Sequence, residues 1–271
     1  VDPGVVVKFD SGSSLDINGV LIADGSAENP IAFTSYKDDK QGGDLNLDGY
    51  SSTPANGDWG RIYFTNNAED HVSLLDHVTV QYGGGNDQGN IYSHSTHLSI
   101  SNSRIANSNS YGILNYYATL TLTDNDIYSN SWDGIYSYGH GGNIDSIIGG
   151  RIFANFGDGI EIRDGIAANI NGVEIFGNVS QGLRSTSNQN LDATGNWWGA
   201  ADGASGDEAG SGDQVLKQGS GTIDASGFLL DGSEFSYFNA GGTNHYGYGI
   251  VTPNVTGIGS TEWGAGATTS M

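Results

Sequence analysis

The chain has no cysteine, four prolines, one methionine and nine Lys plus Arg among 271 residues. Without cysteine there is no disulfide framework and no thiolate zinc site. Scarce proline, with no three-residue glycine period, excludes a collagen helix. Nine basic residues against 31 acidic ones, a net charge of −22, exclude the basic surface that nucleic-acid binding requires. No apolar run approaches the ~20 residues of a membrane-spanning helix. The opening Val1-Asp2-Pro3 shows no signal-peptide pattern and starts inside what reads as regular structure. The expectation is therefore a mature segment of a larger extracellular protein, secreted or on the cell surface, with neither nucleic-acid nor membrane partners.

Glycine and asparagine are what the chain has in excess. Gly supplies 44 residues and Asn 25, with Gly more than double its usual ~7%. Both are costly inside helices, so a helical protein is excluded. They are not scattered. Four segments line up: LSISNSRIANSNSYGI from Leu98, LTLTDNDIYSNSWDGI from Leu120, IDSIIGGRIFANFGDGI from Ile144 and INGVEIFGNVSQGL from Ile170. Asn107, Asn130, Asn155 and Asn178 mark them, as do Gly112, Gly134, Gly159 and Gly182. Alternating apolar residues punctuated by Gly and Asn, with a period near 23, fit one turn of a strand solenoid. Successive turns stack at ~4.8 Å, so Ile113, Ile135, Ile160 and Leu183 should form an interior ladder. The recurring Asn should form another, each bonding its copy in the next turn.

The run GVVVKFDSGSSLDINGVLIADGSAENPIAFTS (Gly4 to Ser35) is similar to the opening coils of secreted bacterial β-helix repeat proteins. The segment DATGNWWGAADG (Asp192 to Gly203), with GTIDASGFL after it, resembles their closing coil. The chain thus resembles the right-handed parallel β-helix (pectin-lyase-like) superfamily, which includes pectate lyases and polygalacturonases. The resemblance implies an all-β, right-handed parallel β-helix, a solenoid of about nine turns across residues 1–230. An acidic loop at 36–58 interrupts it, and a Gly-rich segment at 231–271 is expected to be a cap or a linker remnant. In this setting Trp197 and Trp198 belong to the closing coil as packing residues, and Trp59 re-enters the core after the loop. The fold hosts lyases, hydrolases, epimerases, adhesins and binding modules, so it does not choose a function.

The loop carries Asp44-Leu45-Asn46-Leu47-Asp48-Gly49, the D-x-N-x-D-G start of a calcium loop. Ala55 stands where the bidentate Glu of an EF-hand would be, so further ligands must come from Asp38, Asp39 or Asp58. Oxygen donors select Ca2+ over zinc or copper. The expected ligands are Asp38, Asp39, Asp44, Asn46 and Asp48, against the alternative of a solvated acidic turn.

Aligned on the Gly-Ile corner, one outward column reads Leu114, Tyr136, Glu161, Arg184, and the next reads Tyr116, Tyr138, Arg163, Thr186. Trp132 stands at the adjacent corner, with Asp133 and Asp158 nearby. Aromatic faces among charged hydrogen-bonding groups suit a sugar chain. The expected ligand-binding residues are Tyr116, Trp132, Tyr136, Tyr138, Glu161, Arg163 and Arg184. The expected function is that of a noncatalytic carbohydrate-binding module of a secreted bacterial protein. It would be monomeric, sit beside other domains of a larger enzyme and bind a plant cell-wall polysaccharide such as xylan. A β-helix carbohydrate-binding module that recognises xylan is the relative this implies. The alternatives are a polysaccharide lyase or epimerase acting through Glu161, Arg163 or Arg184, and a structural or adhesive segment.

Overall fold

The computed structural model describes residues 1–49, 51–70, 72–85, 87–140 and 143–232. The proposed C-terminal cap or linker lies almost wholly outside them. The described residues form strands and turns with no helix, and every strand pairing is parallel. Three sheets result, of seven, nine and eight strands, here called A, B and C. Each turn of the chain gives one strand to B, then C, then A, and the next turn pairs with it rung on rung.

Alternation of apolar and polar residues makes this geometry stable, because each strand turns every second side chain into the same interior. In sheet B the pairing runs from Leu15 through Ile62, Ile91, Ile113, Ile135, Ile160 and Leu183 to Val215. From Ile62 onward none of these is more than 1% exposed, and each such burial is worth roughly 1.5–3 kcal/mol. Sheet A adds Val80, Ile105, Ile127, Ile152 and Ile175, and sheet C adds Ile100, Leu122, Ile147 and Ile170. Trp197 and Trp198 are buried at one end of the solenoid, and Trp59 stacks on Phe9 at 4.2 Å near the other.

The solenoid has about seven turns, not nine. The count of nine assumed ~23 residues for every turn. The four central turns do advance by 22 to 25 residues, as in the Ile91–Ile113 and Ile135–Ile160 pairings. Leu15 to Ile62, Ile62 to Ile91 and Leu183 to Val215 take longer routes. Excursions use residues without adding a rung. The longest, at 36–58, folds back on the corner between sheets A and B: Asn56 Nδ2 donates to the Ser108 carbonyl and to Ser131 Oγ, both at 3.2 Å.

The asparagine ladder exists, one position away from where sequence alignment puts its first member. Asn130 Nδ2 donates to Asn155 Oδ1 at 2.9 Å, and Asn155 Nδ2 to Asn178 Oδ1 at 3.0 Å. Asn178 Nδ2 in turn reaches Asp213 Oδ2 at 3.0 Å, which ends the array. Strand register puts Ser108, not Asn107, in this column, because Ala106 pairs with Tyr128. Asn107 instead occupies a left-handed corner (φ 55°) that Ser129 (54°), Ala154 (53°) and Gly177 (67°) fill in later turns. The Gly markers have a different reason to be glycine. A Cβ on Gly134 would lie 2.7 Å from the Gly159 carbonyl oxygen and 2.8 Å from Asn155 Nδ2, so the next rung leaves no room for a side chain.

Candidate functional site

Among the described residues, the outer face of sheet B gathers a run of aromatic rings and a cluster of buried charge. Because strands stack in register, a residue facing out in one turn lies over its counterpart in the next. The outward column Tyr92, Leu114, Tyr136, Glu161, Arg184 is continuous through four pairings, and Tyr63 extends it by one rung. Tyr63 and Tyr92 stack at 4.7 Å with their planes 10° apart. Beside them runs His94, Tyr116 and Tyr138, with the two tyrosines stacked at 4.5 Å. Arg163 follows just beyond the end of its strand, with its guanidinium 5.2 Å from the Tyr136 ring centre. Tyr111 stacks on Tyr136 at 4.7 Å and meets Trp132 edge-on at 5.0 Å. Trp132 is 43% exposed, so its free face is open to solvent.

At the corner entering sheet B, Tyr111, Asp133, Asp158 and Gln181 occupy the same position in four successive turns, each two residues before the inward Ile or Leu. Asp133, Asp158 and Glu161 converge there, with carboxyl oxygens within 4.8 Å of one another. All three are buried, at 7%, 1% and 2% exposure. Two arginines enter the cluster. Arg184 donates through Nε to Asp158 Oδ2 at 2.6 Å and through Nη2 to Glu161 Oε2 at 2.7 Å. Arg163 donates through Nε to Glu161 Oε1. Asp158 Oδ1 accepts the Gln181 backbone N–H at 3.1 Å. All four oxygens of Asp158 and Glu161 therefore have donors.

Asp133 is in a different position. Its Oδ1 accepts the Asp158 backbone N–H at 2.7 Å. Among the described residues no donor reaches its other oxygen, which is not enclosed, and the Arg184 guanidinium acts on the carboxyl without forming a salt bridge to it. Burial pushes its carboxyl up from 3.8 to about 7; the Asp158 N–H and the Arg184 charge oppose the rise, while the charges of Asp158 and Glu161 add to it.

The expected sugar-binding residues Tyr116, Trp132, Tyr136, Tyr138, Glu161, Arg163 and Arg184 thus lie on or beside one face; the first outward column read from sequence is in register throughout, and the second is paired from Tyr116 to Tyr138, with Arg163 and Thr186 just past their strand ends. Sequence reasoning left out Tyr63, Tyr92, His94 and Tyr111, and it noted Asp133 and Asp158 only as neighbours. Tyr63 was hidden because the step from its turn to the next is longer than the central repeat, and Tyr92, whose turn keeps that repeat, stands before the first of the four aligned segments. Asp133 and Asp158 were legible as the residue preceding Gly-Ile, where Tyr111 and Gln181 also stand.

The loop presents a second group. Asp39, Asp44 and Asp48 converge to within 4.8 Å. Asp44 caps the turn by accepting the backbone N–H groups of Asp48 and Gly49 at 3.2 and 2.9 Å. Asn46 donates to Asp48 Oδ2 at 3.0 Å. Asp39 Oδ1 is enclosed and has no donor. Its carboxyl is raised by burial and then by the charges of Asp44 and Asp48. Asp38 stands apart from this group, because its Oδ2 accepts from Thr34 Oγ1 at 2.7 Å and Gln81 Nε2 at 2.9 Å. Asp58 pairs with Lys37 at 2.6 Å.

No protein-family model matches the chain, and no curated protein matches it. Among solved structures, it is similar to the enzymatically active domain of tailspike protein 2 of bacteriophage CBA120. The two share 15% identity over 83% of this chain, with a TM-score of 0.40. The chain spans 39% of that tailspike chain. A likeness of this degree concerns the parallel β-solenoid alone, and no residue role passes across it.

Proposed function

We propose that the outer face of sheet B binds a polysaccharide chain without cleaving it. The observation that carries this reading is the run of stacked and tilted rings, Tyr63, Tyr92, His94, Tyr116, Tyr138, Tyr136 and Tyr111, beside exposed Trp132. The open face of Trp132 would take the C–H face of a sugar, and the hydroxyls and charged groups of the neighbouring residues would meet sugar hydroxyls. The rungs repeat at about 4.8 Å, close to the rise per sugar of an extended β-linked chain, so a xylan-like glycan would run along the solenoid axis. In this reading the chain is the glycan-recognising part of a secreted bacterial protein.

Two of the three carboxylates favour binding over hydrolysis. A nucleophilic or water-activating carboxylate needs a free oxygen facing the substrate, and Asp158 and Glu161 are buried with every oxygen taken. A lyase reading would need a neutral arginine as base. Although burial alone would lower the pKa values of Arg163 and Arg184, their acidic partners raise both above the usual value and keep them charged.

The same proposal places Ca2+ in the loop at Asp39, Asp44 and Asp48, with Asn46 beside them. Support comes from the enclosed Asp39 oxygen that lacks a donor and from oxygen-only chemistry, which suits a hard cation. The ion would order the loop against the A-to-B corner.

Affinity electrophoresis on xylan, β-glucan, pectin and alginate tests the binding reading. Retardation on at least one glycan is expected, and Tyr136→Ala and Tyr138→Ala should each weaken it about 3- to 10-fold without unfolding the domain. No retardation on any of the four refutes the reading.

A further inference from the structure

Beside its Ile–Leu ladder, the inner face of sheet B carries a second column that reads Phe64, Ser93, Asn115, Ser137, Ile162 and Ser185. Ser93, Asn115 and Ser137 are each 0% exposed, and the equally buried Phe64 and Ile162 close this polar stretch at its two ends. Asn115 Nδ2 donates to Ser137 Oγ at 2.9 Å and to the Ala118 carbonyl at 3.0 Å. Its Oδ1, however, is enclosed with no partner among the described residues, and so are Ser93 Oγ and Thr96 Oγ1. Thr96 is 4% exposed and belongs to the same corner. The Thr119 N–H donates to the Thr96 carbonyl at 2.9 Å, which sets Thr96 one rung from Ala118, the residue that Asn115 reaches. Ser93 is one rung from Asn115 itself. The orphaned oxygens of Ser93, Thr96 and Asn115 therefore line one interior corner between sheets B and C, on two successive turns.

We infer that this corner binds a single buried water molecule, which donates to Asn115 Oδ1 and accepts the hydroxyl protons of Ser93 and Thr96. Buried polar atoms left unpaired are costly, and a buried water typically makes about three hydrogen bonds to such atoms. No hydrogen bond joins the three oxygens directly, and polar groups held just beyond bonding reach are what a bridging water connects. The donor set fixes the class of ligand. Three neutral oxygens bring no charge to offset the desolvation of a cation, and Ca2+ takes roughly six to eight ligands. A sugar is excluded because the residues that would touch it are closed off from solvent. Farther along the column the chain meets the same need without a ligand. There Ser185 Oγ accepts the Ser187 N–H at 3.1 Å, and Ser187 Oγ donates to the Ile166 carbonyl at 2.8 Å. Ser93 lies between Tyr92 and His94, and Asn115 between Leu114 and Tyr116. The water thus ties two turns together from behind the aromatic run.

A high-resolution crystal structure of the full chain should show a density peak about 2.7–3.1 Å from all three oxygens. A corner without that peak, or a peak ringed by about six oxygens at about 2.3–2.6 Å as a cation would be, overturns the inference. Magnetic relaxation dispersion of the water signal counts long-held water molecules in solution. The Ser93→Ala/Thr96→Val double variant, with its melting transition as the check on folding, should hold one fewer than the parent; an unchanged count contradicts the site. Thr96→Val alone supplies a sign, because it keeps the shape of the side chain and removes only the hydroxyl. With the water bound it deletes one of the water's donors and should lower the urea midpoint. In a dry corner it deletes a costly orphan and leaves the midpoint unchanged or raised, and either of those results overturns the inference.

Discussion

Asp133 makes a quantitative prediction about stability, because its burial has a sign and a size. The carboxyl rises from 3.8 to about 7 in the folded chain. Folding therefore binds a proton at any pH between those values. The stability associated with that proton is fully present below pH 3.8 and is lost as pH rises through about 7. Each pH unit is worth about 1.4 kcal/mol, so at pH 8 the ionised group costs the fold about 4 kcal/mol at most. The 7% exposure of Asp133 leaves little solvent to screen this. Asp133→Asn removes the charge and keeps an oxygen to accept the Asp158 N–H. The variant should be more stable than the parent by about 2–4 kcal/mol at pH 8, with the difference shrinking toward zero below pH 4. Urea unfolding at pH 4, 6 and 8 measures it. A difference that stays flat with pH, or a variant destabilised at pH 8, refutes the reasoning.

Chelation tests the loop: EDTA should lower the melting temperature and added Ca2+ restore it, with Asp44→Ala abolishing the response. A transition indifferent to both means the acidic turn is simply solvated. The asparagine ladder offers a separate check. Asn155→Ala removes the acceptor of the Asn130 backbone N–H and the donor to the Ile127 carbonyl, at 3.2 Å each. Leaving buried groups unpaired costs roughly 1–3 kcal/mol apiece, so a loss of about 3–5 kcal/mol in urea unfolding is expected. A loss under about 1 kcal/mol contradicts the ladder's role. Asn107→Gly should be close to neutral, since glycine keeps the left-handed corner that Asn107 occupies.

The solenoid was legible because its cause is local and repeated. Ile113, Ile135, Ile160 and Leu183 face the same interior for the reason that strands alternate, and the glycine before each recurs because the next rung leaves no room for a Cβ. The same periodicity placed Tyr136, Glu161 and Arg184 in one outward column. It did not resolve which residue of an asparagine-rich corner turns inward. One step of register exchanges Asn107 for Ser108, and backbone pairing decides that step rather than composition. Turn number also escaped, since an excursion and a rung look alike in sequence until strands pair.

By itself, then, the sequence determined the period, the apolar ladders and the sign of the molecule's charge, because each depends on residues a fixed distance apart along the chain. Only the tertiary structure decided how those charges combine. Asp133, Asp158, Glu161 and Arg184 come from three different turns. Stacking brings together groups about 25 residues apart and leaves Asp158 paired while Asp133 is not. Whether a buried carboxylate has a partner depends on distances of a few ångströms across rungs, and no spacing in the sequence encodes them. That difference singles out Asp133 on the face of sheet B.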